Sequence, residues 1–119
     1  MNYTDVRDHL PLRIERLFEP WSYELPRRRL ELRTGGDRET GQRLCVVFYE
    51  VMAMQVRRSY RQLVIAEATD TAAIDRFAAV PERISHTVLR LAVGDDEHQG
   101  FVVCAALMLE TVPFEPIPR

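Results

Sequence analysis

Glu50 is the residue whose surroundings first suggest catalysis. It lies at the centre of LCVVFYEVMAMQV, residues Leu44–Val56, with apolar neighbours on both sides. In a regular strand its carboxylate would point into an apolar layer together with Phe48, where an unpaired charge is costly. A β-bulge near Tyr49 and Glu50 would instead let Phe48 and Val51 both face inward and would turn Glu50 out to solvent. We favour the bulge, which makes Glu50 a feature of the fold rather than of a reaction.

Other catalytic patterns are weak or missing. Nucleophilic catalysis needs a serine or cysteine beside a histidine base, but Cys45 and Cys104 have apolar neighbours and no GxSxG motif occurs. A carboxylate pair would require Glu50 to meet Glu67 or Glu110, which the sequence does not place together. All 16 basic residues are arginine, so a Schiff-base or phosphate-binding lysine is excluded. We therefore expect a protein that is not an enzyme and needs no cofactor.

The acidic loop at residues 95–98 is the one cluster with metal-ligand chemistry. Its sequence, DDEH, lacks the length and spacing of a calcium loop, and a single histidine at a loop tip is a poor zinc site. We interpret this loop as a solvated hairpin tip and predict no metal site. His86, on the strand predicted to precede the loop, faces away from Leu89 and Leu91 and is interpreted as a structural histidine.

Two arginine clusters and the acidic loop are the candidate binding residues. Arginine interleaved with tyrosine is enriched at protein interfaces and also in grooves for single-stranded nucleic acid. The first cluster begins one arm of a predicted hairpin and the second ends the partner arm, so we expect one basic patch, opposed to an acidic tip. The predicted partner-binding residues are Arg27, Arg28, Arg29, Arg57, Arg58, Tyr60, Arg61, Asp95, Asp96 and Glu97.

Composition indicates one globular domain over residues 1–119. The hydrophobic fraction of 46% is ordinary for a chain that buries one core, and no apolar run approaches the roughly 18 residues of a membrane helix. The start, MNYTDVRDHL, lacks the basic and apolar regions of a signal peptide, so we expect a cytoplasmic protein with two free thiols. A net charge of −2 argues against nucleic-acid binding through a basic field.

The elements that must position these residues are mainly strands. RRRLELRT places Leu30 and Leu32 on one face and charged side chains on the other, which indicates a half-buried strand. GGDRETG follows as a hairpin loop, and Leu44–Val56 is predicted to be a central strand because it is rich in β-branched and aromatic residues. QLVIAEA is a further short strand. Residues 10–18 fit a strand slightly better than a helix, and WSYEL, between two prolines, is an edge strand or an extended connection.

One helix and a C-terminal hairpin complete the pattern. Residues 69–71 offer an N-cap for AAIDRFAAV, whose apolar residues share a helical face, and Pro81 ends this helix. ISHTVLRLAV and FVVCAALMLETV are predicted to be two antiparallel arms joined by GDDEHQG. The tail, residues 113–119, contains three prolines and is expected to run extended along the surface.

These elements predict an α+β domain, a mostly antiparallel curved β-sheet of about five to six strands with one short helix packed on it. The layout, rather than any motif, resembles small bacterial β-rich proteins associated with toxin–immunity loci, which implies an immunity-type inhibitor. We accordingly expect a small non-catalytic protein-binding domain whose partner is another protein, with no nucleic-acid or membrane partner. Two alternatives stay open. One is a small-ligand or enzymatic site in the sheet concavity around Glu50, Tyr49 and His86, and the other is a homodimer formed through a sheet edge.

Overall fold

Ten β-strands dominate the computed structural model, which describes residues 2–5, 7–36, 39–97 and 99–113. The strands are β1 (Asn2–Asp5), β2 (Leu12–Ile14), β3 (Phe18–Glu24), β4 (Arg29–Thr34), β5 (Gln42–Tyr49), β6 (Ala53–Gln55), β7 (Leu63–Glu67), β8 (Leu89–Gly94), β9 (Gln99–Cys104) and β10 (Ala106–Pro113). One α-helix, α1, spans Thr71–Ala78, and short 3₁₀ helices span Arg7–His9 and Glu82–Thr87. Within the described ranges no helix has the length and apolar character needed to cross a membrane.

The strands form two five-stranded sheets in which every pairing is antiparallel. Sheet A has the order β1-β10-β5-β4-β3, and sheet B has the order β2-β7-β8-β9-β6. One core lies between them, built from Phe18, Leu30, Leu32, Val46, Phe48 and Leu107 of sheet A and from Leu63, Ile65, Leu91, Val93, Val102 and Cys104 of sheet B. The predicted α+β class, mostly antiparallel sheet with one short helix, is confirmed. The strands divide between two packed sheets because two long apolar segments bend and supply strands to both.

These two segments cross from one sheet to the other at a shared corner. The first supplies β5 to sheet A and β6 to sheet B, and the second supplies β9 to sheet B and β10 to sheet A. Tyr49 pairs with Ala106 on one side of the corner, and Ala53 pairs with Val103 on the other. Three residues of the first segment therefore oppose two of the second, which is the one-residue excess that defines a β-bulge. The Ala105 N–H donates to the Tyr49 carbonyl at 2.8 Å, so hydrogen bonding continues into the corner.

Glu50 occupies this corner with a left-handed backbone, at a φ of 55°. Phe48 and Val51, on either side of the Tyr49–Glu50 pair, are both buried in the core, while Glu50 is exposed. A left-handed residue breaks the regular alternation of a strand, so it allows two near neighbours to point the same way. The predicted bulge and the outward position of Glu50 are confirmed.

Helix α1 packs on the outer face of sheet B. Its N-cap is Asp70, one of the predicted residues, whose carboxylate accepts a hydrogen bond from the Ala73 N–H at 3.4 Å. Ala79 adopts a left-handed conformation and ends the helix two residues before the proline expected to do so. Phe77 meets Phe101 of β9 edge-to-face, with ring centroids 5.5 Å apart.

The segment after α1 differs from the prediction. Glu82–Thr87 form a 3₁₀ helix, and β8 begins only at Leu89, so the first arm of the C-terminal hairpin is shorter than expected. Arg90 explains the difference, because its guanidinium donates to Asp75 of α1 at 2.6 Å and to the Ser85 carbonyl and hydroxyl at 3.0 and 2.7 Å. These bonds fold the connection back against sheet B instead of letting it extend the strand.

Two further expectations concern the chain ends. Residues Leu12–Ile14 form a strand, as favoured, and WSYEL lies largely in β3, which is an edge strand of sheet A. The predicted extended tail, residues 113–119, begins at Pro113, which ends β10; the rest of it lies outside the described residues, as does His98 of the acidic loop.

Candidate functional site

Five of the predicted partner-binding residues meet in one polar cleft. They line a cavity of about 570 Å³ and are Arg57, Arg61, Asp95, Asp96 and Glu97. The expected separation of a basic end from an acidic end is therefore wrong for this cluster. The cause is strand order, since β7 pairs with β8 so that Val64 lies opposite Gly94, which places the residues before β7 beside the acidic loop.

Asp96 is anchored in this cleft by three hydrogen bonds. Arg13 donates two hydrogen bonds to its carboxylate, at 2.9 and 3.2 Å, and the Gln62 amide donates a third. The hydrogen bond from Arg13, followed by that from Gln62, holds the pKa of Asp96 below its ordinary value. The acidic loop is thus tied to β2. Among the described residues, no group of three or more histidine, cysteine or acidic side chains could hold a metal ion.

Tyr60 lies in the chain between Ser59 and Arg61, which line the cleft, and is only 1% exposed. Its N–H and carbonyl pair with Phe18 at 2.8 and 2.9 Å, and its hydroxyl accepts a hydrogen bond from the Arg57 N–H at 2.7 Å. Burial raises the pKa of the phenol. Tyr60 is a core residue that fixes the path of its neighbours, which corrects the prediction that it contacts a partner, whereas Arg58 is exposed beside it.

The first arginine cluster lies apart from this cleft, in the turn from β3 to β4. Arg27 and Arg28 are exposed, and the Arg28 carbonyl accepts a hydrogen bond from the Val51 N–H at 2.9 Å. Beyond Val51 the chain enters sheet B and runs along β9, so Arg57 lies towards the other end of that strand. The expected union of the two arginine clusters is therefore wrong, because the sheet-crossing corner intervenes.

An arginine–glutamate–arginine cluster on the outer face of sheet A was missed in the sequence. Arg29 donates to one carboxylate oxygen of Glu31 at 3.1 Å, and Arg33 donates to the other. Glu31, expected to face solvent, is only 4% exposed. Alternation along β4 puts all three side chains on one face. The available signal was the spacing RxExR, which also fits a solvated strand face.

Aromatic rings hold both arginines of this cluster. The Arg33 guanidinium lies 4.6 Å from the centre of the Trp21 ring, and that of Arg29 lies 5.8 Å from the centre of the Tyr49 ring. Burial by itself disfavours the charge on Arg29, but hydrogen bonds with Tyr49 and Glu31 outweigh it and raise the pKa. Each guanidinium is therefore held by a carboxylate and by a ring.

Exposed hydrophobic side chains are concentrated along β3 and its flanking turns, beside the strand that carries these arginines. Trp21 contacts Arg33, whereas Tyr23 pairs with Leu30 and so lies on the other face of sheet A. In the described part of the chain, four of the five exposed large hydrophobic residues fall within residues 17–25: Leu17, Trp21, Tyr23 and Leu25. Trp21 is 60% exposed and Leu25 is 72% exposed. The register of β3 shifts between Pro20 and Ser22, which leaves Trp21 as an extra residue on the edge strand. We call the exposed residues of 17–28, with Arg29, Glu31 and Arg33, the β3 surface.

The three residues of the alternative ligand site do not converge. Glu50 lines a cavity of about 280 Å³ beside the Glu82–Thr87 helix, but neither Tyr49 nor His86 lines it. Tyr49 stacks with Arg29 on the outer face of sheet A. His86 is exposed on the 3₁₀ helix, which corrects its predicted place on a strand.

Both cysteines are buried free thiols, as predicted. Burial raises the pKa of Cys104 to about 12. The pKa of Cys45 is also raised, first by burial and then by the nearby Glu31 carboxylate. Since the thiolate is the nucleophilic form, both side chains remain in their unreactive state near neutral pH.

Comparison with protein-family models, curated proteins and solved structures gave no match. Function must therefore be argued from the surfaces of the molecule, among which the β3 surface combines exposed apolar area with ordered charge.

Proposed function

We propose that this chain is a small non-catalytic protein-binding domain and that the β3 surface is its contact region. The observation that carries this proposal is the concentration of exposed hydrophobic residues beside two held arginines. Together these four side chains expose on the order of 500 Å² along one edge strand of sheet A and its flanking turns. Tryptophan, tyrosine and arginine are also the residue types that dominate binding energy at interfaces.

The β3 surface offers side chains rather than a free strand edge. At Phe18 the outward backbone groups are already paired with Tyr60. Alternation directs the backbone of Pro20 to the same open side, where proline has no N–H to donate. The irregularity at Trp21 disturbs the next positions. These features oppose a homodimer built by strand pairing at this edge and favour a partner that is bound through side chains.

An immunity-type inhibitor is the form of this function that we propose. Such an inhibitor must hold one partner tightly, and affinity falls when flexible side chains have to be ordered on binding. Arg29 and Arg33 are already ordered by Glu31 and by the aromatic rings. The two arginines of the contact surface are thus already ordered before a partner binds.

Site-specific photo-crosslinking in the source cells tests this proposal. A photo-reactive amino acid at position 21 should capture one or a few proteins, which mass spectrometry would identify. The matched control is position 77, because Phe77 is an aromatic residue that is 69% exposed but lies on α1, away from sheet A. Capture from position 21 should be lost in a Tyr23→Ser, Leu25→Ser variant. If both positions capture the same proteins, or neither captures any, the proposal is wrong.

A further inference from the structure

We propose that the β3 surface binds an acidic protein segment that carries carboxylates beside an apolar side chain. This inference rests on the proposed function and names the chemistry of the partner. Its first support is local charge, because four arginines (Arg27, Arg28, Arg29 and Arg33) stand against three glutamates (Glu19, Glu24 and Glu31) on the β3 surface, which leaves it at +1 in a chain whose net charge is −2.

The second support is the hydrogen-bonding capacity that the two held arginines retain. Arg29 uses its Nη2 group towards Glu31 and also bonds Tyr49, and Arg33 uses its Nε group towards Glu31. A guanidinium carries five N–H donors, so each arginine has donors left for a second acceptor. Their side chains are 18% and 25% exposed, so neither arginine is sealed from solvent. Paired guanidinium donors fit a carboxylate in two-point geometry.

The apolar part of the surface defines the rest of the partner. Trp21 and Leu25 are the most exposed hydrophobic residues of β3 and its turn. Trp21 contacts Arg33, and Leu25 lies in the turn that leads to Arg27 and Arg28, so a segment that places carboxylates on these arginines also brings its neighbouring side chains over apolar surface. A partner with charge alone would leave that area uncovered.

A nucleic acid fits the β3 surface less well than an acidic protein. The Trp21 ring, which could stack on a base, already carries Arg33. The polar cleft is no competitor for an acidic partner either, because Arg57 and Arg61 share it with four carboxylates.

Trp21 supplies the readout, since it is the only tryptophan of the chain and gives one indole N–H signal in a two-dimensional NMR spectrum. The probes are the peptides EELEELEE, QQLQQLQQ and KKLKKLKK and a single-stranded oligouridylate. We expect the acidic peptide to shift the indole signal at millimolar concentration or below, and more tightly than the others. Arg27→Gln with Arg28→Gln should weaken its binding by about fivefold. The matched pair Arg57→Gln with Arg58→Gln should leave binding unchanged.

Each other outcome overturns the inference in an identifiable way. Equal binding of the acidic and glutamine peptides would mean that contact is purely apolar, and the protein-binding function would stand without an acidic partner. Tighter binding of the oligouridylate would assign the surface to nucleic acid. If no probe moves the Trp21 signal while crosslinking from position 21 succeeds, the acidic partner alone is wrong. If crosslinking also fails, the proposed function falls with it.

Discussion

Replacing Glu31 by glutamine should lower the free energy of unfolding by about 2 to 3 kcal/mol. The carboxylate accepts one hydrogen bond from Arg29 and one from Arg33, and its side chain is only 5% exposed. Glutamine keeps the size of the side chain but removes the charge. Its amide nitrogen would then face a guanidinium, so one of the two arginines would lose its partner.

The magnitude follows from the burial of the three groups. A hydrogen bond to a charged group contributes about 1.5 to 3 kcal/mol net, and removing one member of a fully buried ion pair costs about 3 to 5 kcal/mol. Arg29 and Arg33 are partly exposed and regain some hydration when the carboxylate is lost. The expected cost therefore lies below that of a fully buried pair.

Urea denaturation followed by circular dichroism measures this effect. The matched control is Glu19→Gln, because Glu19 pairs with Arg33 across β3 and β4 but is exposed, and its loss should change stability by less than about 0.5 kcal/mol. A double-mutant cycle between Glu31→Gln and Arg33→Gln should give a coupling of about 1 to 2 kcal/mol. If Glu31→Gln costs no more than the control and the coupling is near zero, Glu31 does not hold the arginines, and the argument for a prepared contact surface is refuted.

Three further predictions follow from the backbone and the buried thiols. Gly100→Ala should destabilise the fold by about 2 kcal/mol in denaturant titrations, because the new Cβ would lie 2.0 Å from the Gln55 carbonyl oxygen; Gly35→Ala, in open space, is the control, and equal effects would contradict the prediction. The pKa of the Cys104 thiol is about 12 in the folded protein and 9.0 in the unfolded chain, so between these pH values only the unfolded chain loses the thiol proton. The free energy of unfolding should therefore fall by up to about 1.4 kcal/mol per pH unit as the pH rises through this range. Cys104→Ala should show a shallower decline over the same range, and an unchanged slope would count against the assignment. Glu50→Gly should preserve or raise the Tm, since glycine adopts a φ of 55° without strain, whereas Glu50→Val should cost about 1 to 2 kcal/mol; the opposite order would contradict the corner geometry.

Alternation along β4 predicted the direction of each side chain but not its burial. Leu30 and Leu32 face the core as expected, and Glu31 faces the other way. Glu31 is nevertheless buried, and Arg29 and Arg33 pair with it on the outer face. Whether a residue on the outer face is exposed depends on the length and pairing of the side chains beside it. The alternation of inward and outward residues along a strand does not encode this.

The sequence predicted the bulge at the corner but not the change of sheet. The cost of burying an unpaired carboxylate was enough to turn Glu50 outward and to require a bulge. The change of sheet was not foreseeable, because a strand that bends into a second sheet has the same apolar composition as one that stays central. Only the pairing of Tyr49 with Ala106 and of Ala53 with Val103 distinguishes the two cases.

The candidate site shows the same division between residue type and placement. The arginine and acidic clusters were recognised by type, but their neighbours depend on strand order, which brought Arg57 beside Asp95 and left Arg28 beside Val51. Trp21 and Leu25 were recognised as part of an edge segment. Their significance lies in being left uncovered by the rest of the fold, and no local pattern carries that information.

The shared corner also has a mechanical consequence. Each of two separate stretches of chain passes covalently from one sheet to the other at the same place, and they are hydrogen-bonded to one another there. Sliding the layers past one another at this corner would therefore strain two covalent connections together and break the hydrogen bonds between them.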